Sequence, residues 1–353
     1  MKRQLAVGIM SGTSLDGLDL ALCEFSLLST GWRYKIIKAE TIVYSREWHE
    51  KLTSAFKSSA LEIISLHSEY GHYIGREVKK FLGKDELKAE LICSHGHTIF
   101  HQPENGFTFQ LGDGSAIAAN SGITTICDFR NLNVALGGQG APLVPVGDEI
   151  LFGEYHYCLN LGGMSNISYP YKRKRIAYDI CPVNMILNHI SEELDMEYDK
   201  DGLIGRKGIV HPGLLEKLNS ISFYKKTAPK SLGYEWFVSE FLPIVNKFSI
   251  KPQNKLRTIY EHIAVQITNS MDSKAKKSVL VTGGGAFNIF LVELIKSKTK
   301  HQVVIPDSLL VNYKEALIFA FLGVLRMHNY INCFSSVTGS RYDCSTGAIH
   351  KMV

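Results

Sequence analysis

An apolar run, a turn of small residues and two further apolar runs occur twice in this chain, and that recurrence constrains the fold more than any other feature. In the first instance "QLAVGIM" leads into "SGTSLDG", then "LALCEF" and "RYKIIKAETIVY"; in the second, "YHYCLN" leads into "LGGMS", then "NISYPY" and "RIAYDI". Such runs of β-branched and aromatic residues between short breaks read as strands. Gly12 and Gly162 stand 150 positions apart (162 − 12) with no letter-by-letter repeat between the halves, so the duplication is one of architecture. A helical stretch over 47–82, the run "AELICSHG", the segment "FTFQLGDGSAIAANSG" and the buried run "ITTICDF" give a mixed α/β pattern. After the second instance a helix is expected to open at "CPVNMILNHISEEL" with Pro182 in its first turn. The glycine-rich "ALGGQGAPLVPVGD" at 135–148 is the expected junction, giving domains at 1–145 and 146–353, the first completed by the C-terminal helix.

Composition narrows the functional classes. At 353 residues the chain exceeds the size at which one hydrophobic core stops growing. Lys and Arg outnumber Asp and Glu by 39 to 34, an excess of +5 too thin to point to nucleic acid or an anionic membrane as partner. Seven scattered cysteines without a Cys-x-x-Cys pair read as reduced thiols in a cytosol. "MKRQLAVGIM" lacks the cleavage site of a secretory leader and reads as a first strand. The longest apolar run, "ALIFAFLGVL" at 316–325, is half the length of a membrane span and reads as a buried helix.

Three small-residue turns, "SGTSLDGLD", "NLGGMSN" and "TGGGAFN", each follow a strand. Glycines let backbone N–H groups converge on a phosphate, and Ser and Thr add hydroxyl donors. One such turn is an ordinary strand connection; three together point to a nucleotide site, although neither the P-loop nor the Rossmann fingerprint is present. Asp16 faces phosphate only through magnesium or its waters. Asp179 closes the strand "RIAYDI", where it serves either as a base or metal ligand in a cleft or as a carboxylate that stabilises a helix N-terminus. "SHGHTIFH" places His95 and His97 at a spacing open to zinc, with hydrogen-bonded cleft histidines the stronger reading. "YKRKR" at 171–175 reads as a solvated hairpin turn. Arg130 either binds a carboxylate or phosphate or pairs with Asp128.

Eight ordered motifs, "GIMSGTSLDGLDLAL", "SHGHTIFHQP", "TFQLGDGSAIA", "CDFRNLNVALGGQGAPLVP", "NLGGMSNIS", "PKSLGYEWF", "TGGGAFN" and "YKEALIFAFLG", together resemble the anhydro-N-acetylmuramic acid kinases over nearly the whole chain. The resemblance implies a two-domain actin-like fold of the duplicated ribonuclease H type, with ATP in the interdomain cleft. It implies opening of a 1,6-anhydro sugar with phosphorylation at O6, in cell-wall recycling, by a cytoplasmic homodimer. The catalytic aspartate then falls on Asp179. Gly12, Thr13, Ser14, Leu15, Asp16, Gly17, Leu18 and Asp19 grip the ATP phosphates, with Asp16 near Mg2+. Gly162, Gly163 and Asn166 form a second phosphate hairpin, and Gly283, Gly284 and Gly285 lie against the adenosine. Arg130, Gly138, Gln139, Asn184, Glu315 and His97 are the sugar-side groups.

The chain departs from the family pattern in "DICPVN", where D-T-G-P-G-N is usual, and in His97, Asn133 and Asp148, where Gln, Asp and His are common. Val183 resists positive φ, so a differently shaped loop beside Asp179 is expected. Two other readings stay open: a related carbohydrate or carboxylate kinase acting on a plain hydroxyl, and a non-catalytic ATP-binding regulator.

Overall fold

The computed structural model describes residues 3–12, 15–83, 88–271 and 274–352. The chain forms two compact units, Met1–Leu151 with Tyr313–Val353, and Phe152–Asn312.

The first unit is built on β1 (Gln4–Ser11), β2 (Gly17–Leu28), β3 (Gly31–Val43), β4 (Leu91–Gln102), β5 (Phe107–Leu111) and β6 (Thr124–Cys127), with the C-terminal strand Ala348–His350 at its edge. β1 pairs antiparallel with β2 and parallel with β4; β2 pairs antiparallel with β3, and β4 parallel with β6. Val7, Ile9, Leu18, Leu20 and Leu22 pack with Tyr70, Ile74, Val78 and Phe81 of the helix Ala60–Gly83, whose three- and four-residue spacing makes one apolar face. Each such side chain contributes roughly 1.5–3 kcal/mol on burial. Gly8, in β1, lies against the helix Ser308–Met327, where a Cβ would collide with the Ala316 carbonyl. That helix is long and apolar enough to cross a membrane, yet residues 316–322 are at most 2 % exposed, as expected for a core helix.

The second unit is built on β7 (Tyr157–Leu161), β8 (Met164–Tyr171), β9 (Lys174–Pro182), β10 (Ser278–Thr282) and β11 (Gln302–Val304). β7 pairs antiparallel with β8 and parallel with β10; β8 pairs antiparallel with β9, and β10 parallel with β11. Leu159, Leu161, Ile167 and Ile180 share a core with Leu256, Ile259, Ile263 and Ile267 of the helix Pro252–Asn269. With β5, which folds back antiparallel on β4, set aside, β3-β2-β1-β4-β6 of the first unit and β9-β8-β7-β10-β11 of the second are the same order with the same strand directions. The duplication read from the sequence is therefore a duplication of topology.

The division differs from the expected 1–145 and 146–353. Pro145–Ile150 is a helix of the first unit: Gly147 fits against Ile318, and Asp148 pairs with Lys314 at 2.6 Å. Burial of both charges ties this helix to the Tyr313–Val353 segment. A second correction concerns "YKRKR". Lys172 and Arg173 form the two-residue turn with φ of 47° and 63°. Arg175, however, is 4 % exposed and donates from Nε to the Ser168 hydroxyl at 3.1 Å, so it belongs to the sheet and not to a solvated face.

Candidate active site

In the first unit β1 and β2 form an antiparallel hairpin, and the Leu15 N–H donates to the Gly12 carbonyl at 3.3 Å. Thr13 and Ser14 lie outside the described residues. Leu15 takes φ of 60°, a conformation that costs a non-glycine residue about 1–2 kcal/mol; its side chain packs on the core. At Gly17 a Cβ would stand 2.6 Å from the Ile42 carbonyl oxygen, so glycine alone fits beside β3. Leu18 is buried and Asp16 exposed. Asp19 accepts from the Thr41 hydroxyl at 2.6 Å, and its carboxyl is raised above the ordinary range by burial, with the charge of Asp16 adding and the Thr41 bond opposing. The two carboxylates are thus close enough to repel.

His95 and His97 do not share a face, because Gly96 takes φ of 74° between them and interrupts the regular alternation. His97 Nδ1 bonds the Ser11 hydroxyl at 2.9 Å; that hydroxyl meets Tyr44 OH at 2.7 Å, which meets Tyr70 OH at 2.6 Å. Burial lowers the His97 imidazole to about 4, so it is neutral at pH 7. His95 is also held neutral, by burial and then by Arg130. Its Nδ1 stands 2.8 Å from the Gly96 carbonyl and must carry the proton there, which leaves Nε2 as an acceptor. Arg130 donates to that Nε2 from Nε at 3.0 Å and from one terminal nitrogen at 2.7 Å, and to the Gly140 carbonyl at 2.7 Å from the other. Three of its five N–H donors are spent on positioning, leaving two for a ligand. Asp128 instead accepts from the Asn131 amide at 2.6 Å, so the alternative of an Asp128–Arg130 pair is set aside.

Asn133 holds the glycine-rich loop. Its amide donates to the Thr338 hydroxyl at 2.9 Å and its oxygen accepts the Gly140 N–H at 2.8 Å, while the Gln139 N–H donates to the Thr338 carbonyl at 2.7 Å. Gly138 packs directly on Asn133, where a Cβ would clash. Glu315 is solvent-accessible yet hemmed in by protein. Burial raises its carboxyl, Lys314 and Arg130 oppose, and Asp19 adds to the rise. Glu315 therefore interacts electrostatically with both Arg130 and Asp19.

In the second unit Gly162 and Gly163 join β7 to β8. Their carbonyls accept the N–H groups of Asn184 at 3.2 Å and of Val183 at 2.8 Å. Gly283, with φ of 81°, passes so close to Asn160 and Leu161 that any Cβ would collide, and a Cβ at Gly285 would collide with Leu161 and stand 3.3 Å from the Asn184 amide oxygen. Asn166 faces Asp179 across the β8–β9 ladder. Gly162, Gly163, Asn166, Asp179, Asn184, Gly283, Gly284 and Gly285 are thereby assembled at one end of this sheet.

Pro182 closes β9 instead of opening the helix, which runs Asn184–Glu192 with Val183 as its N-cap at φ of −126°. Asp179 consequently stands away from the helix N-terminus, and the dipole-stabilising role does not apply. Its Oδ2 accepts the Leu232 N–H at 2.8 Å, and its own N–H donates to the Lys230 carbonyl at 3.1 Å. Burial pushes the Asp179 carboxyl up to about 6, against the Leu232 bond. Ile180, Cys181 and Val183, the departures in "DICPVN", are at most 2 % exposed and face the core, so Val183 needs no positive φ. Residues 230–232 belong to the motif "PKSLGYEWF" in the sequence; their hold on Asp179 is visible only in the fold. Both ring nitrogens of His95 and the Nδ1 of His97 are engaged in hydrogen bonds, as the hydrogen-bonded reading of these histidines has it.

Two units with one strand order, a glycine-bearing hairpin between the first two strands of each, and a buried carboxylate on an edge strand define a two-domain α/β protein of duplicated topology. The sequence pattern of anhydro-N-acetylmuramic acid kinase matches residues 4–352, and the chain belongs to that family. It is 36% identical to the anhydro-N-acetylmuramic acid kinase of Mannheimia succiniciproducens, over 99% of each chain. It is 33% identical to that of Vibrio vulnificus strain YJ016 over 99% of this chain and 98% of the relative, and 32% identical to that of a Picosynechococcus species over 98% of each. It is thus an enzyme, a kinase of sugar metabolism.

Proposed function

We propose that this kinase converts 1,6-anhydro-N-acetylmuramic acid, water and ATP to N-acetylmuramic acid 6-phosphate and ADP, as part of peptidoglycan recycling. The Asp179 carboxylate takes a proton from water as the water oxygen bonds to the anomeric carbon. The C1–O6 bond breaks, and O6 attacks the γ-phosphorus of ATP while ADP leaves. One base thus serves ring opening and transfer, as the base of an inverting glycosidase serves its water.

The observation that carries this reading is the Asp179 carboxyl at about 6, ionised at pH 7 yet basic enough to accept a proton. Leu232 and Lys230 orient it. The hairpins at Gly12, Leu15, Asp16, Gly17, Leu18 and Asp19, and at Gly162, Gly163 and Asn166, bind phosphate, and Gly283, Gly284 and Gly285 receive the adenosine. Arg130, with two N–H donors to spare, binds the lactyl carboxylate, with Gly138, Gln139, Asn184, Glu315 and His97 completing the sugar side.

Magnesium fits the first hairpin. The mutual repulsion of Asp16 and Asp19 supplies two hard oxygen donors for an ion otherwise held by water and phosphate. Such an ion would neutralise charge on the triphosphate. A cytoplasmic homodimer is part of the same reading.

The experiment is ADP release with 1,6-anhydro-N-acetylmuramic acid in oxygen-18 water. The native protein should turn over and place the label at C1, and Asp179→Asn should lose roughly 10²–10⁴-fold in kcat. Label-free C1, or an undiminished Asp179→Asn, would overturn the mechanism. Turnover only with an unbridged amino sugar would assign the chain to plain-hydroxyl phosphorylation.

A further inference from the structure

Beside the strand that carries Asp179, the second unit holds a cavity of about 620 Å³, within the size range of small-molecule sites. Tyr178 and Ile180, the neighbours of Asp179 in β9, line it, and Asp179 does not. The carboxylate that would perform the chemistry is therefore not part of the cavity wall.

Its lining is chemically one-sided. Lys225, Lys226 and Lys230 stand at it, and among the described residues no Asp or Glu lines it. The Lys230 ammonium lies 5.5 Å from the Tyr178 ring centroid and 4.8 Å from that of Phe223. Burial holds this amine below the ordinary lysine range, and the charge of Lys226 acts in the same direction. Three cations without a carboxylate among them call for an anion. Lysine binds phosphate as a point charge, and three of them at one wall match the more than single negative charge of a phosphate monoester better than the one charge of a carboxylate. Tyr169, Tyr178 and Tyr224 supply flat apolar faces, and the Asn269 amide and Ser270 hydroxyl supply hydrogen bonds of the kind ring hydroxyls need.

The cavity wall is also the mount of the base. Lys226, Thr227, Ala228 and Lys230 line it, and the same segment carries the Lys230 carbonyl and Leu232 N–H that hold Asp179 at 3.1 and 2.8 Å. We infer that this cavity is a second binding site, for a phosphorylated monosaccharide, and that filling it acts on Asp179 through residues 226–232. The second half rests on Asp179 being the base; the first half does not.

The test is calorimetry on the full chain with N-acetylglucosamine 6-phosphate as probe, and inorganic phosphate and N-acetylglucosamine in separate arms. The sugar phosphate should bind with an affinity unchanged by a saturating non-hydrolysable ATP analogue and anhydro sugar. Each half-probe should bind at least tenfold more weakly. Lys226 is exposed, so Lys226→Ala should melt like the native protein and lose at least tenfold in affinity for the probe. The probe should move the pH midpoint of turnover in the native protein and not in Lys226→Ala. Absence of binding, displacement by the nucleotide or anhydro sugar, or undiminished binding by Lys226→Ala overturns the site. Inorganic phosphate binding as tightly as the probe overturns its sugar specificity, and an unmoved midpoint overturns the coupling. An active Asp179→Asn with probe binding intact would remove the catalytic reading and leave the site standing.

Discussion

Asp179 and Leu232, 53 positions apart, are joined by a backbone N–H that donates to the Asp179 carboxylate at 2.8 Å. The bond favours the ionised form, while burial favours the protonated one and prevails, leaving the carboxyl at about 6. A base placed there is deprotonated at pH 7 and still accepts protons.

Turnover should follow that balance. kcat/KM is expected to rise with pH through a midpoint near 6 and to fall tenfold per pH unit below it, measured by ADP release from pH 4.5 to 8.

Stability should run the other way. The folded carboxyl is raised from 3.8 to about 6, so its contribution is full below 3.8 and lost as pH rises through about 6. Asp179→Asn should therefore melt higher than the native protein at pH 7.5, and the difference should vanish at pH 4 in thermal denaturation.

Leu232→Pro removes the N–H, and Leu232→Ala keeps it. A hydrogen bond to a charged group is worth about 1.5–3 kcal/mol, so the proline variant should move the turnover midpoint up by roughly one to two pH units. The alanine variant should keep the native midpoint. Identical pH profiles would deny the bond its role.

Arg130→Ala should raise KM for the sugar about 10–100-fold while leaving KM for ATP within twofold. Arg130→Lys should not rescue it, since one ammonium cannot bond His95 Nε2 and the Gly140 carbonyl and still present a fork to a ligand. An unchanged sugar KM in the alanine variant would remove Arg130 from the sugar site.

Asn133→Ala deletes the two side-chain bonds through which Asn133 fixes the glycine-rich loop. The buried Gly140 N–H loses its acceptor, at a cost of about 1–3 kcal/mol, visible as a lower Tm and a raised sugar KM.

Much of this was legible in the sequence because it is local. Both glycine hairpins, the strand that carries Asp179 and the buried helix at 316–325 are signalled within a few residues. What stayed hidden depends on pairing across long separations. Arg175 belongs to a charged run, and only the Ser168 hydroxyl and Cys158 sulfur on neighbouring strands draw it inward. Pro182 before Val183 mimics a helix start, but β9 continues through it because the proline needs no partner for an N–H it lacks. The junction was misplaced because glycine content was read as a boundary, whereas the Asp148–Lys314 pair closes a loop of 166 positions (314 − 148). The union of Arg130 with His95, and of Asp179 with Leu232, has no signal in spacing.

The hydroxyls linking Tyr70, Tyr44 and Ser11 to His97 also settle a question of proton bookkeeping. When each hydroxyl hydrogen points toward the histidine, all three are used and Nδ1 is the receiving lone pair. In that polarity the imidazole keeps its hydrogen on Nε2 and offers a neutral donor there. A relay rooted in the helix Ala60–Gly83 is thereby coupled to the tautomer of a histidine on the neighbouring sheet.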